Sequence, residues 1–212
     1  MPELPDLTIY QEAIESRLCE QNLLGIRIAS PFILRTVTPG VDEFVGKDFL
    51  ATRRIGKRIV LEFSEQYYVV IHLMIAGRFQ WYAAGKKMPG KLGLMAFDFQ
   101  NGTLVLTEAS QKHRAAVHLV EGEADLAEFD LGGLEVLKSD LAAFRAALSQ
   151  QNRTLKRAMT DQRFIAGIGN AYSDEILHRA RLSPMRQTRH LDDEQWQNLF
   201  NATQTTLQDW TR

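Results

Sequence analysis

Pro2 and Glu3 are the residues of this chain best suited to chemistry. Removal of Met1 leaves Pro2 as a secondary amine at the extreme N-terminus, with a carboxylate covalently adjacent. An α-amine with an ordinary pKa of about 7.7–8.0 is partly neutral, and so nucleophilic, near neutral pH. Such an amine attacks an aldehyde or hemiacetal carbon to form an iminium, which is an electron sink. The neighbouring carboxylate can then shuttle protons. Pro-Glu and Pro-Asp also suit the first turn of a helix, so Met1-Pro2-Glu3-Leu4-Pro5-Asp6 taken alone favours a purely structural start.

A second segment shifts that balance. Arg163-Phe164-Ile165-Ala166-Gly167-Ile168-Gly169-Asn170-Ala171-Tyr172 places two glycines ahead of a helical run. Glycines there let backbone N–H groups approach a phosphate, where the helix dipole favours negative charge. Asn170 can cap that helix or donate to a phosphate oxygen. A lone Gly-x-Gly is weak support, but the surrounding charge strengthens it. Residues 151–190 carry eight bases against three acids, whereas residues 121–150 carry seven acids against two bases. The net charge of −1 hides this asymmetry. A basic cluster of this kind can bind phosphates in a chain that is neutral overall.

The elements that must position these groups fall into an α+β chain. Asp6 or Thr8 can cap a helix over roughly 7–20, with Ile9, Ala13, Ile14 and Leu18 as its apolar stripe. From Leu24 to about Leu119 the texture is that of strands: Ile59 to Phe63, Tyr67 to Leu73, Arg78 to Tyr82, Leu94 to Phe99 and Thr103 to Thr107. Gln100-Asn101-Gly102 reads as a tight hairpin. Antiparallel strands at this spacing predict a sandwich or barrel. The acidic stretch 121–139 reads as a connector and Asp140 to Leu148 as a short helix, followed by helices over about 152–160, 170–180 and 191–210. The division is a β-sandwich domain over 1–125 and a helical domain over 126–212.

Composition narrows the class. Apolar residues make up 45% and charged residues 24%, as in a folded globular protein. No apolar run approaches the roughly 20 residues needed to cross a bilayer, and the N-terminus lacks a signal-peptide pattern. A cytoplasmic protein with no membrane partner is expected. Cys19 is the only cysteine, which excludes an internal disulfide and a cysteine-cluster zinc site. His and carboxylates at metal-ligand spacing are missing, which disfavours metal-dependent hydrolysis.

Four segments together resemble the Fpg/Nei family of DNA glycosylases, the formamidopyrimidine and endonuclease VIII type. Pro2-Glu3-Leu4-Pro5-Asp6 is similar to the family's N-terminal Pro-Glu-Leu-Pro-Glu, and Gly56-Lys57-Arg58 to its β-domain lysine motif. Ile71-His72-Leu73-Met74-Ile75-Ala76-Gly77 resembles its His-Leu-Gly-Met-Ser-Gly segment. Lys156 through Leu177 resembles its helix–two-turn–helix motif. The resemblance runs nearly the whole chain in the family's order.

What the resemblance implies is a monomeric base-excision enzyme acting on double-stranded damaged DNA and associated with the nucleoid. Pro2 would attack C1′ of a damaged nucleotide, Glu3 would move protons, and Lys57 would assist near the phosphates or the lesion. β-Elimination, and often δ-elimination, would then cut the strand. A target base must leave the stack, which costs least for damaged or unpaired bases; glycosylases are a standard example. DNA contacts would come from His72, Ile75, Lys112, His113, Arg114, Lys156, Gly169 and Asn170.

The chain also departs from the family. Asp6 stands in place of a longer Glu. Ile75, with Met74 beside it, stands where the family has a void-filling Met. Lys112-His113-Arg114 stands for its Arg-Arg-Phe, so an aromatic wedge is missing, although the Arg114 guanidinium can stack in its place. The family commonly continues into a β-ribbon module whose four cysteines hold zinc. Here the sequence given stops at Arg212, so it reads as truncated and no cofactor is expected within it. The competing reading is a non-catalytic binder of damaged or abasic DNA that keeps the scaffold without turnover.

Overall fold

A computed structural model describes residues 1–110 and 112–211. Its contacts divide the chain into two compact units. The first comprises residues 1–2, 9–54 and 58–129, and the second residues 3–8, 55–57 and 130 onward.

The first unit is an antiparallel β-sandwich of two four-stranded sheets. One sheet has the order β1 (Gly25–Ile28), β6 (Gly93–Phe99), β7 (Gly102–Glu108), β5 (Gly77–Tyr82). The other has the order β2 (Phe49–Ile55), β3 (Arg58–Phe63), β4 (Tyr67–His72), β8 (Ala116–Glu121). The expected hairpin forms, with Phe99 opposite Gly102 across a two-residue turn at Gln100-Asn101. Gly102 is required there, because a Cβ would overlap the Trp81 indole. β7 is buried along its whole length, which explains its continuous apolar run in place of strict alternation.

Helix α1 (Leu4–Leu18) starts three residues earlier than its sequence signals suggest. Asp6 and Thr8 therefore lie inside it and do not precede it. Asp6 occupies the third helical position and accepts a hydrogen bond from the Glu3 backbone N–H at 2.9 Å, the return half of a capping box. Leu7, Ile14 and Leu18 form the buried stripe, whereas Ile9 is 48% exposed, against expectation. Tyr10 meets Phe79 of β5 edge-on with ring centroids 5.4 Å apart.

The second unit is helical. The acidic connector before it is partly helical, with a short α2 (Glu123–Ala127) at the end of the first unit. Asp140 caps α3 (Leu141–Ser149) by accepting from Ala143 N–H at 2.8 Å. α4 (Leu155–Thr160) and α5 (Asn170–Arg179) follow. Asp192 and Gln195 close a reciprocal capping box at the start of α6 (Asp193–Asp209). The core gathers Phe144, Leu148, Met159, Ile165, Ile176, Trp196 and Leu199, and it includes Leu4. Full burial of each large apolar side chain is worth about 1.5–3 kcal/mol. Leu4 thereby anchors the N-terminal segment to this core, reinforced by its N–H donating to the Gly167 carbonyl at 2.9 Å.

Candidate active site

The site is built on Glu3 and the start of α5. Glu3 is only 3% exposed. Its carboxylate accepts three backbone hydrogen bonds: from Gly169 at 2.6 Å and Tyr172 at 3.2 Å on Oε2, and from Ala171 at 3.1 Å on Oε1. The first turn of a helix has N–H groups with no partner inside the helix, and a negative charge is favoured there by the helix dipole. Glu3 supplies both. The expectation that these amides cradle a phosphate is thus corrected: a carboxylate of the chain itself occupies them. Of the two roles read for Asn170, only the cap is corrected. Gly169 is the capping residue, and Asn170 is the first residue of the helix with an exposed side chain.

Gly169 is fixed by crowding. A Cβ at this position would overlap both the Lys57 Nζ and the Glu3 carboxylate. The missing side chain is what admits the two charged groups beside one another. The preceding loop is braced by Gln162, whose side-chain amide donates to the Ile168 carbonyl at 2.7 Å and accepts from Gly167 N–H at 2.9 Å. Gly167 has φ +82°, a conformation that favours glycine. Gln162 carries no recognisable signal in the sequence.

Lys57 stands on the tight turn between β2 and β3, after Gly56 with φ +56°. Burial lowers the Lys57 pKa below its ordinary value, while the nearby Glu3 carboxylate opposes that shift. Tyr172, on the first turn of α5, has its phenol pushed up to about 12, chiefly by burial and then by the charges of Asp6, Glu3 and Glu175. Pro2, buried, directly precedes Glu3. Glu3, Lys57 and Gly169 are therefore brought together within one unit, and Pro2 is tethered to them covalently.

The remaining candidates are placed as follows. His72 closes strand β4, half-buried opposite Ala116, and so lies in the sheet and not in the loop beyond it. Ile75 is exposed at a turn where Met74 has φ +54°. Lys112, His113 and Arg114 are exposed on the segment between β7 and β8. Lys156 on α4 is engaged by both oxygens of Asp174 at 2.6 Å. Cys19 is exposed, and among the described residues no group of three or more His, Cys, Asp or Glu side chains converges as a metal site would require. No described helix is long and apolar enough to cross a membrane.

Comparison with known proteins places the family and the fold. The sequence profile of the formamidopyrimidine-DNA glycosylase N-terminal domain matches residues 1–119, and that of the formamidopyrimidine-DNA glycosylase H2TH domain matches residues 133–211. A formamidopyrimidine-DNA glycosylase of Pelotomaculum thermopropionicum is 30% identical over 218 residues, covering 99% of this chain and 77% of that protein. One from Heliobacterium modesticaldum is 30% identical over 217 residues, covering 99% and 78%. The fold is similar to that of the Lactococcus lactis formamidopyrimidine-DNA glycosylase non-covalently bound to an AP-site-containing DNA. The TM-score is 0.87 at 24% identity, over 99% of this chain and 81% of that one. With matched profiles at both ends and the Glu3–Lys57–Gly169 cluster between them, this chain belongs to the formamidopyrimidine-DNA glycosylase family.

Proposed function

We propose that this protein excises damaged bases from double-stranded DNA and then cleaves the strand at the resulting abasic site, through an imine formed on Pro2. The observation that carries the proposal is the buried Glu3 carboxylate held beside Lys57, one residue from an N-terminal secondary amine. In the processed chain the Pro2 nitrogen attacks C1′, the C1′–base bond breaks, and the base departs with a proton. The sugar ring opens to an iminium at C1′. That iminium acidifies the C2′ proton, whose removal expels the 3′ phosphate. A second elimination expels the 5′ phosphate, and water releases Pro2.

The geometry of Glu3 suits proton movement. A carboxylate offers about four acceptor sites. Three are used by the amides of Gly169, Ala171 and Tyr172, which leaves one on Oε1. This oxygen takes the proton that the Pro2 nitrogen loses on attack and returns it to the ring oxygen as the sugar opens. Lys57, which a Cβ on Gly169 would displace, supplies a positive charge for the phosphates that leave.

The test uses duplexes carrying one formamidopyrimidine lesion, one oxidised purine or one abasic site. Base release and a nick at the lesion are expected from the wild-type protein, with Glu3→Gln slowing excision by about 10²-fold or more. Binding to these duplexes without release or nicking would favour the non-catalytic reading.

A further inference from the structure

The first unit holds a cavity that takes no part in that chemistry. It is bounded by α1, β5 and β7, has a volume of about 160 Å³, and is lined by Tyr10, Ile14, Arg17, Phe79, Trp81 and Leu104 among others. Ile14 and Leu104 are buried, but the three aromatic rings are only half-buried. Apolar surface gathered in one concave place marks a binding site, whereas the same residues scattered singly would mean little.

The walls are fixed before any ligand arrives. Tyr10 and Phe79 meet edge-on with centroids 5.4 Å apart. The Trp81 indole fills the space that Gly102 leaves by lacking a side chain. The Asn101 side-chain amide donates to the Arg17 carbonyl at 2.6 Å, which fastens the end of α1 to the turn between β6 and β7. Fixed walls spare a ligand the cost of ordering them.

Size and chemistry select the ligand. An apolar cavity of about 150 Å³ accepts benzene, so this one suits a single six-membered ring. The lining is predominantly apolar. A nucleobase would leave its ring N–H and carbonyl groups unpaired against it, which disfavours one. Arg17 supplies the only charged side chain of the lining. It is exposed, with Cζ 5.9 Å from the centre of the Trp81 ring. Its Nη1 donates to the Ala13 carbonyl at 2.7 Å, and no acidic side chain pairs with it among the described residues. Nε and Nη2 are therefore open to a carboxylate, which a guanidinium takes through two parallel hydrogen bonds. One positive charge balances one negative charge, which favours a carboxylate over a doubly charged phosphate.

We propose that this cavity binds a small aromatic carboxylate, a phenyl ring on a short alkyl chain, with the ring against Phe79 and Trp81 and the carboxylate on the Arg17 guanidinium. The site is independent of DNA binding and of the chemistry at Pro2, so it stands or falls apart from them.

The experiment is calorimetric titration of the full chain with hydrocinnamate, a phenyl ring joined to a carboxylate by two carbons. One site with a Kd of about 0.1–1 mM is expected, ordinary for a ligand of this size. Hydrocinnamide has the same shape without the charge and is expected to bind about tenfold more weakly. Arg17→Gln is expected to lower affinity for the acid by about tenfold and to leave that for the amide unchanged, a selectivity that loss of fold would not give. Ala13 also lines the cavity, and Ala13→Leu, which keeps a strong helix former, is expected to abolish binding of both ligands with Tm retained. No saturable binding to the wild type, equal affinity for acid and amide, or undiminished binding in Ala13→Leu would overturn the proposal. Tighter binding of N-acetylphenylalanine amide than of the acid would also overturn it, by assigning the cavity to an aromatic side chain of a partner protein.

Discussion

Glu3 and Gly169, 166 positions apart in sequence, are joined by a 2.6 Å hydrogen bond from the Gly169 N–H to Glu3 Oε2. This bond ties the N-terminal segment to the first turn of α5. It also explains why a glycine ends the Gly-x-Gly loop: the space beside its Cα is filled by the Glu3 carboxylate and the Lys57 ammonium.

Gly169→Ala is accordingly predicted to displace both charged groups. Overpacking of a buried position costs about 1–3 kcal/mol, which for a chain of this size corresponds to a fall of roughly 2–12 °C in Tm. Strand-nicking activity is expected to fall more steeply than stability. Thermal unfolding combined with a single-turnover assay checks this, and a variant with normal activity would remove Gly169 from the account.

Asp6 resolves one departure from the family. An acid at the third helical position is well placed to accept from the N–H of the residue before the helix, and Asp6 does so with Glu3 at 2.9 Å. Asp6→Ala is predicted to cost about 1 kcal/mol, the usual worth of a cap, and to lower the excision rate by loosening the Glu3 backbone. Asp6→Glu can make the same bond and should retain most activity. Denaturant unfolding and rate measurements on the pair test whether reach or charge matters.

Lys57 gives a pH signature. Burial lowers its folded-state pKa below the ordinary 10.5, so the unfolded chain holds the proton where the folded chain has begun to release it. Stability then rises with pH through the window just below 10.5, since the unfolded state binds more protons there. Lys57→Met removes this contribution. The stability difference between wild type and variant is predicted to shift in favour of the wild type as pH climbs toward 10.5, and a difference that stays flat would contradict it.

Asp161 makes a prediction of the same sign in acid. It accepts from the Arg163 side chain at 2.6 and 2.9 Å, from the Arg163 N–H at 3.1 Å, and from Arg153 at 2.9 Å. These bonds, those from the Arg163 side chain foremost, hold its carboxyl at about 2 against an ordinary 3.8. The stabilisation is complete above 3.8 and is lost as pH falls toward 2. With solvent screening of the exposed Arg163 taken into account, it amounts to about 1–2 kcal/mol. Asp161→Asn should lose that amount at neutral pH and show a flatter decline in acid.

Much of this molecule was legible in the sequence, but not the way its parts meet. β3 to β7 and α3 to α6 follow from periodicity, hairpin residues and the break at Pro184. Pro2, Glu3 and Lys57 could be picked out by chemistry and by resemblance. What the sequence hid is long-range. Nothing local to Gly169 signals that its amide bonds Glu3 and not a phosphate, and nothing near Glu108 signals that its carboxylate accepts from the backbone N–H groups of Arg114 and Ala115. The start of α1 was misplaced because Asp6 has the residue type of an N-terminal cap while its partner, Glu3, lies on its N-terminal side. Ile9 fits a helical stripe by spacing, yet the neighbouring core engages Leu7 and Ile14 instead.

The central claim is that the Pro2 amine forms a covalent bond with the sugar, and borohydride trapping on a duplex with one abasic site tests it most directly. The processed protein is predicted to give a stable adduct that peptide mapping locates at Pro2, and a chain that retains Met1 should give no adduct there. An adduct mapped to another residue, or none from processed protein that binds the same duplex, would contradict the account.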